Sequence, residues 1–117
     1  MTLPRAMPIM LAVLSITSAA CGPVAREERP RVADSLIAVL EAAPKKYPPA
    51  TVWSYTYKGG LVLYVPPSCC DVPSELYDTA GTLLCSPDGG FTGKGDGRCP
   101  DFFATRTSGK RLWADSR

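Results

Sequence analysis

The chain has 117 residues, enough for one domain, and its 13 basic and 11 acidic residues leave a formal net charge of +2. So small a net charge produces no long-range field that would attract nucleic acid, and we expect no nucleic-acid partner. The sequence contains no histidine, which excludes Ser-His-Asp and Cys-His centres and the commonest general base. We therefore expect a protein that is not an enzyme and that needs no cofactor.

Residues 1–20 have the layout of a secretory signal peptide. Arg5 precedes an apolar run from Met7 to Ile16, and small residues follow it. As a helix this run is about 15 Å long, too short for a hydrocarbon layer of about 30 Å. The pattern predicts export rather than a transmembrane anchor.

Cys21 follows the end of this segment in the sequence SAACG, which resembles the lipobox of bacterial lipoproteins. Ser18 departs from the aliphatic residue usual there, and ordinary cleavage with plain secretion is the alternative. The cysteine count is five, and lipidation of Cys21 would leave an even set. We expect a lipid on Cys21 that attaches the protein to the bacterial cell envelope, on the periplasmic side or the outer membrane, with residues 21–30 as a tether.

Residues 31–117 are predicted to form one small α+β domain. Apolar residues recur at helical spacing between Arg31 and Ala43, which predicts an amphipathic helix with Val32, Leu36, Val39, Leu40 and Ala43 on its core-facing stripe. Two pairs of β-rich segments follow, TVWSYTY with LVLYV and SELYD with TLLC, each pair joined by a short glycine turn.

In the second turn, Asp78 is expected to cap with its carboxylate and Gly81 to adopt a positive φ. A turn of helix at Asp101–Arg106 and a short strand around Leu112 and Trp113 complete the chain. The expected fold is one N-terminal helix packed on one face of an antiparallel sheet of two hairpins.

Four cysteines remain beyond Cys21, and we expect them to form two disulfides in an oxidising compartment. Adjacent cysteines rarely pair with each other, so two connectivities stay open: Cys69–Cys85 with Cys70–Cys99, or Cys69–Cys99 with Cys70–Cys85. The chain has no histidine and no CxxC spacing. A structural zinc site is therefore not expected.

The glycine-rich stretch between Cys85 and Cys99 is the candidate ligand loop, with Asp88, Lys94, Asp96 and Arg98 as its candidate residues. Carboxylates and backbone carbonyls suit calcium, but the two cations would oppose it. Backbone N–H groups with the two cations would suit an anion or a sugar. A purely structural bend, with glycines at positive φ and aspartates bonded to neighbouring amides, is the favoured interpretation.

Trp53, Tyr55 and Tyr57 share one face of the first strand because side chains alternate along a strand. They form a candidate aromatic surface for a partner. Packing into the core is the favoured alternative.

The motifs CCD at 69–71, LYD at 76–78, and PDGG followed by TGKGDG at 87–97 resemble those of an uncharacterised family of small bacterial exported proteins and lipoproteins, a domain of unknown function. The resemblance is clearest from Tyr55 to Phe103. It implies a shared fold and location, and it brings no activity, ligand or catalytic residue.

The function expected from these observations is that of a non-enzymatic envelope lipoprotein. Its domain would bind a protein or glycan partner. One version of this hypothesis is an inhibitor-like domain, since loops held by disulfides present rigid surfaces. The alternative is a calcium- or small-ligand-binding domain that uses the loop between Asp88 and Asp96.

Overall fold

The computed structural model describes residues 2–4, 29–69 and 71–117. Nearly all of the predicted signal peptide, Cys21, most of the tether and Cys70 lie outside the described residues. In chain order the elements are helix α1 (Arg31–Ala42), strands β1 (Thr51–Tyr57), β2 (Gly60–Val65), β3 (Glu75–Tyr77) and β4 (Leu83–Cys85), helix α2 (Phe102–Thr105) and strand β5 (Thr107–Ala114). The strands form one antiparallel sheet in the order β4-β3-β2-β1-β5.

The first hairpin joins β1 to β2 through a two-residue turn. Lys58 and Gly59 both have positive φ, at 50° and 76°, and Tyr57 pairs with Gly60 directly across the turn. Positive φ at both central positions matches the right-handed twist of the flanking strands. A glycine in the second central position therefore produces the tight turn that the sequence predicted.

The turn of the second hairpin is built around Asp78, as predicted. Its Oδ1 accepts hydrogen bonds from the N–H groups of Ala80 and Thr82, both at 2.9 Å. Gly81 has a φ of 82° and donates its N–H to the Asp78 carbonyl at 3.1 Å. The capping role of Asp78 and the positive φ of Gly81 are both confirmed.

Strand β5 is longer than the short terminal strand predicted, and it extends the first hairpin by pairing with β1. Val52 lies opposite Trp113, and register shifts interrupt the ladder on either side of Trp53 and Ser54. The two hairpins and β5 therefore make a single sheet with β2 at its centre. Strand β1 lies between β2 and β5 and is hydrogen-bonded to both.

Helix α1 packs on one face of the sheet through a stripe that overlaps the predicted one in part, because Leu40 is buried and Leu36 packs against the same cluster. Its buried residues are Ala33, Ile37 and Leu40, whereas Val39 is 66% exposed. Ile37 and Leu40 contact Val52 of β1 and Val65 of β2. Residues at 33, 37 and 40 lie on one side of a helix because they follow the i, i+4, i+7 spacing.

The opposite face of the sheet is covered too, which corrects the expectation of a sheet covered on one face only. Phe102 of α2 is fully buried, and it packs with Tyr64 and Leu76 of the sheet and with the two cysteines Cys85 and Cys99. The domain therefore has a second core, built by α2 and by the base of the glycine-rich loop.

The cysteine pairing differs from both predicted connectivities. Cys85 is bonded to Cys99, with an S–S distance of 1.99 Å. Cys69 also takes part in a disulfide. Both predictions paired Cys85 and Cys99 with Cys69 and Cys70, and this was wrong because α2 and the loop bring Cys99 directly beside β4.

Arg117 ties the end of β5 to the end of α1. Its guanidinium donates to the backbone carbonyls of Leu40, Glu41 and Ala43 at 3.0–3.2 Å. The same group binds the buried carboxylate of Asp115, with Nη2 at 2.8 Å from Oδ2. A cation at the C-terminus of a helix satisfies carbonyls that have no partner within the helix.

Candidate functional site

The loop between Cys85 and Cys99 is closed on itself by backbone hydrogen bonds. Gly89 donates its N–H to the carbonyl of Gly93 at 3.2 Å, and Gly93 donates to Gly90 at the same distance. Gly95 donates to the carbonyl of Gly89 at 3.1 Å. These bonds and the disulfide at the base hold the loop in one conformation, so a side chain at its tip is presented from a rigid support.

Gly95 is required by a close backbone approach. Its φ is 70°, and a Cβ placed there would lie 1.9 Å from the carbonyl oxygen of Ser86 and 2.7 Å from the nitrogen of Asp88. Both are backbone atoms and have no rotamer that would relieve the overlap. Gly97 has a similar φ of 74°, but no atom of another segment lies within 4 Å of the position that a Cβ would take there.

Asp88 fastens the loop to the sheet. Its Oδ1 accepts a hydrogen bond from the hydroxyl of Tyr64 at 2.8 Å. Its backbone N–H donates to the hydroxyl oxygen of Ser74, and its carbonyl accepts from the backbone N–H of Ser74, both at 3.0 Å. Burial, and then the bond to Asp88, raises the pKa of Tyr64, so this hydroxyl stays protonated and remains a donor.

Asp96 closes the other side of the loop with its exposed carboxylate. Oδ1 accepts from the N–H of Arg98 at 3.0 Å, and Oδ2 accepts from the N–H of Ser86 at 3.1 Å. The bond from the Arg98 N–H is the largest cause of a lowered pKa for Asp96, because it stabilises the ionised form. Both oxygens of this carboxylate are therefore used within the loop.

The four predicted loop residues do not form one common site. Asp88 faces Tyr64 and the sheet, whereas Lys94, Asp96 and Arg98 are exposed. Across residues 2–4, 29–69 and 71–117, no group of three or more His, Cys, Asp or Glu side chains is arranged to hold a metal ion. Asp96 bonds to neighbouring amides, as the structural interpretation expected, whereas the carboxylate of Asp88 bonds to the Tyr64 hydroxyl instead.

The predicted aromatic residues share one face of β1, and α2 packs against that face. The ring centre of Phe102 lies 5.7 Å from that of Tyr55 and 5.3 Å from that of Tyr57, and the ring planes are nearly perpendicular in both pairs. Trp53 is half-buried beside Tyr55. These contacts are core packing, the favoured interpretation of the sequence, and edge-to-face geometry of this kind adds about 0.5–1.5 kcal/mol per pair.

Two polar contacts fix α2 in this position. The hydroxyl of Tyr57 donates to Asp101 Oδ1 at 2.6 Å, and this bond is the first cause of a raised pKa for Tyr57 and of a lowered pKa for Asp101. The guanidinium of Arg106 lies 4.6 Å from the ring centres of both Tyr55 and Phe103. A cation between two aromatic faces stabilises the short helix against the sheet.

The loop also carries a residue that the sequence reasoning missed. Phe91 is 92% exposed and lies in the turn that the bond between Gly93 and Gly90 closes. Val72, itself partly exposed, borders the loop, since its carbonyl lies 2.8 Å from the Cβ position of Gly89. The sequence contained a signal for this residue, because Phe91 is the one large apolar residue in the otherwise polar and glycine-rich stretch 86–98.

Among the described residues, no helix has the length and apolar character needed to cross a membrane. No curated protein and no solved structure matches the chain significantly. The profile of the family described as domain of unknown function DUF6970 matches residues 38–115, a range that includes the C-terminal part of α1, the whole sheet, α2 and the glycine-rich loop. The chain therefore belongs to the DUF6970 family, a domain of unknown function.

Proposed function

We propose that this protein is a non-enzymatic binding module of the bacterial cell envelope, which presents Phe91 on its clamped glycine loop to a protein partner. The observation that carries the proposal is the 92% exposure of Phe91 at the tip of a hydrogen-bonded turn. A large apolar side chain in water on a rigid support has no role in the domain's own core. It has the properties of an anchor residue at an interface.

The energy available from this one side chain is substantial. Complete burial of a phenylalanine contributes about 1.5–3 kcal/mol, which corresponds to roughly a 10- to 150-fold change in affinity. The loop is held by four internal backbone bonds and a disulfide. Little conformational entropy is therefore lost when a partner covers Phe91.

A crosslinking competition tests this proposal. A photo-reactive phenylalanine analogue at position 91 is expected to capture a partner from envelope extract, and the same analogue at Val39 serves as the control because Val39 is also apolar and exposed, at 66%, but lies on α1. Unlabelled wild-type protein should abolish the product at position 91. A Phe91→Ala competitor should be at least about tenfold less effective, and equal competition by this variant would contradict the proposal.

The calcium alternative receives no support from the loop geometry. Asp88 Oδ1 is bonded to Tyr64, and both oxygens of Asp96 are bonded to backbone N–H groups. Calcium takes six to eight oxygen ligands and would have to displace these donors. Calorimetric titration with calcium checks this directly, and a saturable heat that is lost in Asp96→Asn would restore the alternative.

We further propose that the module is exported and attached to the membrane by a lipid on Cys21. The supports are the signal-like pattern of residues 1–20 and the lipobox-like sequence before Cys21. Since Cys85 pairs with Cys99, only Cys21 and Cys70 remain in the sequence as partners for Cys69. A lipid on Cys21 would occupy its sulfur, so the proposal requires a second disulfide between Cys69 and Cys70.

Mass spectrometry tests the anchor and the pairing together. The intact protein extracted from membranes should carry a lipidated Cys21, and Cys21→Ser should be recovered in the soluble fraction. Non-reducing peptide mapping should place Cys69 and Cys70 in one disulfide-linked peptide. An unmodified Cys21, or a Cys21–Cys69 crosslink, would rule out the lipid anchor.

A further inference from the structure

A cleft of about 440 Å³ lies at the turn end of the hairpins, on the face of the sheet that α2 covers. Its floor is apolar and includes Val62, Leu84 and the buried disulfide between Cys85 and Cys99. We call it the hairpin cleft. Pockets that hold small ligands have volumes of about 300–1,000 Å³ and mostly apolar walls with a few polar groups, and the hairpin cleft meets both criteria.

Two cations stand at the rim of the hairpin cleft. Lys58 comes from the β1–β2 turn, where its Nζ lies 5.2 Å from the ring centre of Tyr57. Arg98 comes from the end of the glycine-rich loop, next to Cys99. Neither makes a salt bridge with any part of the chain that the structure describes.

The carboxylates nearby are used by donors of the protein itself. Asp78, which also lines the cleft, accepts two backbone N–H groups of its own turn through Oδ1. Asp101 accepts the hydroxyl of Tyr57, and Asp96 accepts two backbone N–H groups. Lys58 lies near the Tyr57 hydroxyl and Asp101, and Arg98 lies near Asp96. An ammonium has three N–H donors and a guanidinium has five, so both cations keep donors for a ligand.

We propose that the hairpin cleft binds an amphipathic monocarboxylate, whose apolar body covers Val62 and Leu84 and whose carboxylate lies between Lys58 and Arg98. A guanidinium and an ammonium recognise a carboxylate through charge-assisted hydrogen bonds, with the planar fork of the arginine matched to its two oxygens. An apolar body is needed because the floor offers little else to contact. This site lies at the turn end of the sheet and requires neither the lipid on Cys21 nor a partner at Phe91.

Titration with decanoate tests the proposal, with decylamine as the matched probe of equal chain length and opposite charge. Both are added below their micellar concentrations to the intact protein, and binding is followed by calorimetry and by the methyl resonances of Val62 and Leu84. Decanoate should shift these resonances saturably, and decylamine should not. Absence of saturable decanoate binding, or equal binding of decylamine, overturns the proposal without any variant.

Three charge-removing variants locate the carboxylate. Arg98→Gln and Lys58→Gln should each weaken decanoate binding by about fivefold, the upper range for a partly exposed ion pair. Lys94→Gln is the control, because Lys94 is an exposed cation of the same loop that does not line the cleft. If all three variants bind decanoate as tightly as wild type does, the assignment of the rim cations is overturned. An equal loss of affinity in all three variants would overturn it too.

Discussion

Gly95→Ala provides the sharpest test of how the glycine loop is held. The added Cβ would lie 1.9 Å from the carbonyl oxygen of Ser86. That oxygen accepts the N–H of Asp96 at 2.9 Å, so displacing it also weakens the bond that joins the two arms of the loop. Gly97→Ala is the matched control, since Gly97 has nearly the same φ but open space at the Cβ position.

The expected magnitude follows from the two parts of the perturbation. A non-glycine residue in the left-handed region costs about 1–2 kcal/mol, and this cost applies to both variants. Gly95→Ala adds a backbone displacement of about 1–3 kcal/mol and a weakened hydrogen bond of up to about 1 kcal/mol. We therefore expect Gly95→Ala to lose about 1–4 kcal/mol more than Gly97→Ala, a large part of the stability of a small domain.

Urea denaturation measures this difference, with the fluorescence of Trp53 and Trp113 as the signal, because both lie in the sheet. The entropy that alanine removes from the unfolded chain is the same in both variants and cancels. In thermal unfolding the two midpoints should differ by about 4 °C or more. Free energies of unfolding that agree to within about 0.5 kcal/mol would refute the close approach at Gly95.

Three further predictions concern the other ties of the domain. The side chain of Arg117 lowers the pKa of Asp115 to about 2. The stability that the ionised Asp115 gives the folded state is therefore complete above the unfolded pKa of about 3.9 and is lost as the pH falls towards 2. In urea denaturation, the free energy of unfolding of Asp115→Asn should fall less over this pH range than that of wild type. Tyr64→Phe removes the hydroxyl bonded to Asp88 and should lower the free energy of unfolding by about 1–2 kcal/mol. The double replacement Cys85→Ser, Cys99→Ser opens a loop with a sequence separation of 14 and should cost about 3 kcal/mol in chemical denaturation.

Each of these predictions has an outcome that contradicts it. If the free energies of unfolding of wild type and Asp115→Asn fall in parallel at acid pH, the ion pair of Asp115 does not contribute to the pH dependence of stability. A Tyr64→Phe protein as stable as wild type would mean that water replaces the lost donor at Asp88 without cost. For the cysteine variant, a free energy of unfolding equal to that of wild type without reductant would contradict the expected loss.

Features set by short stretches of sequence were the most predictable ones. A glycine after Lys58 between two β-rich segments indicates a two-residue hairpin turn, and the structure has it. Asp78 and Gly81 act within four residues of each other, so their roles follow from local chemistry. The structural role of Asp96 was also within reach, because aspartates beside glycines commonly bond to nearby amides. The bond between Asp88 and the distant Tyr64 was not.

The features that sequence alone missed depend on contacts between distant segments. Helix α1 has apolar residues on more than one side, so periodicity did not distinguish the stripe with Val39 from the buried stripe with Ile37. The pairing of β5 with β1 joins remote parts of the chain. The Cys85–Cys99 bond depends on where α2 directs the loop, which no cysteine spacing reveals.

The position of β1 between β2 and β5 has a kinetic consequence. One neighbour of β1 is its hairpin partner, which is close in sequence, but the other arrives only after the loop and α2 have been synthesised. Until then Val52 lacks Trp113 beside it, and the sheet keeps an open edge where β5 belongs. Pairing over such a separation requires closure of a long chain loop and slows folding. A ribosome-bound chain therefore cannot complete this sheet until β5 emerges.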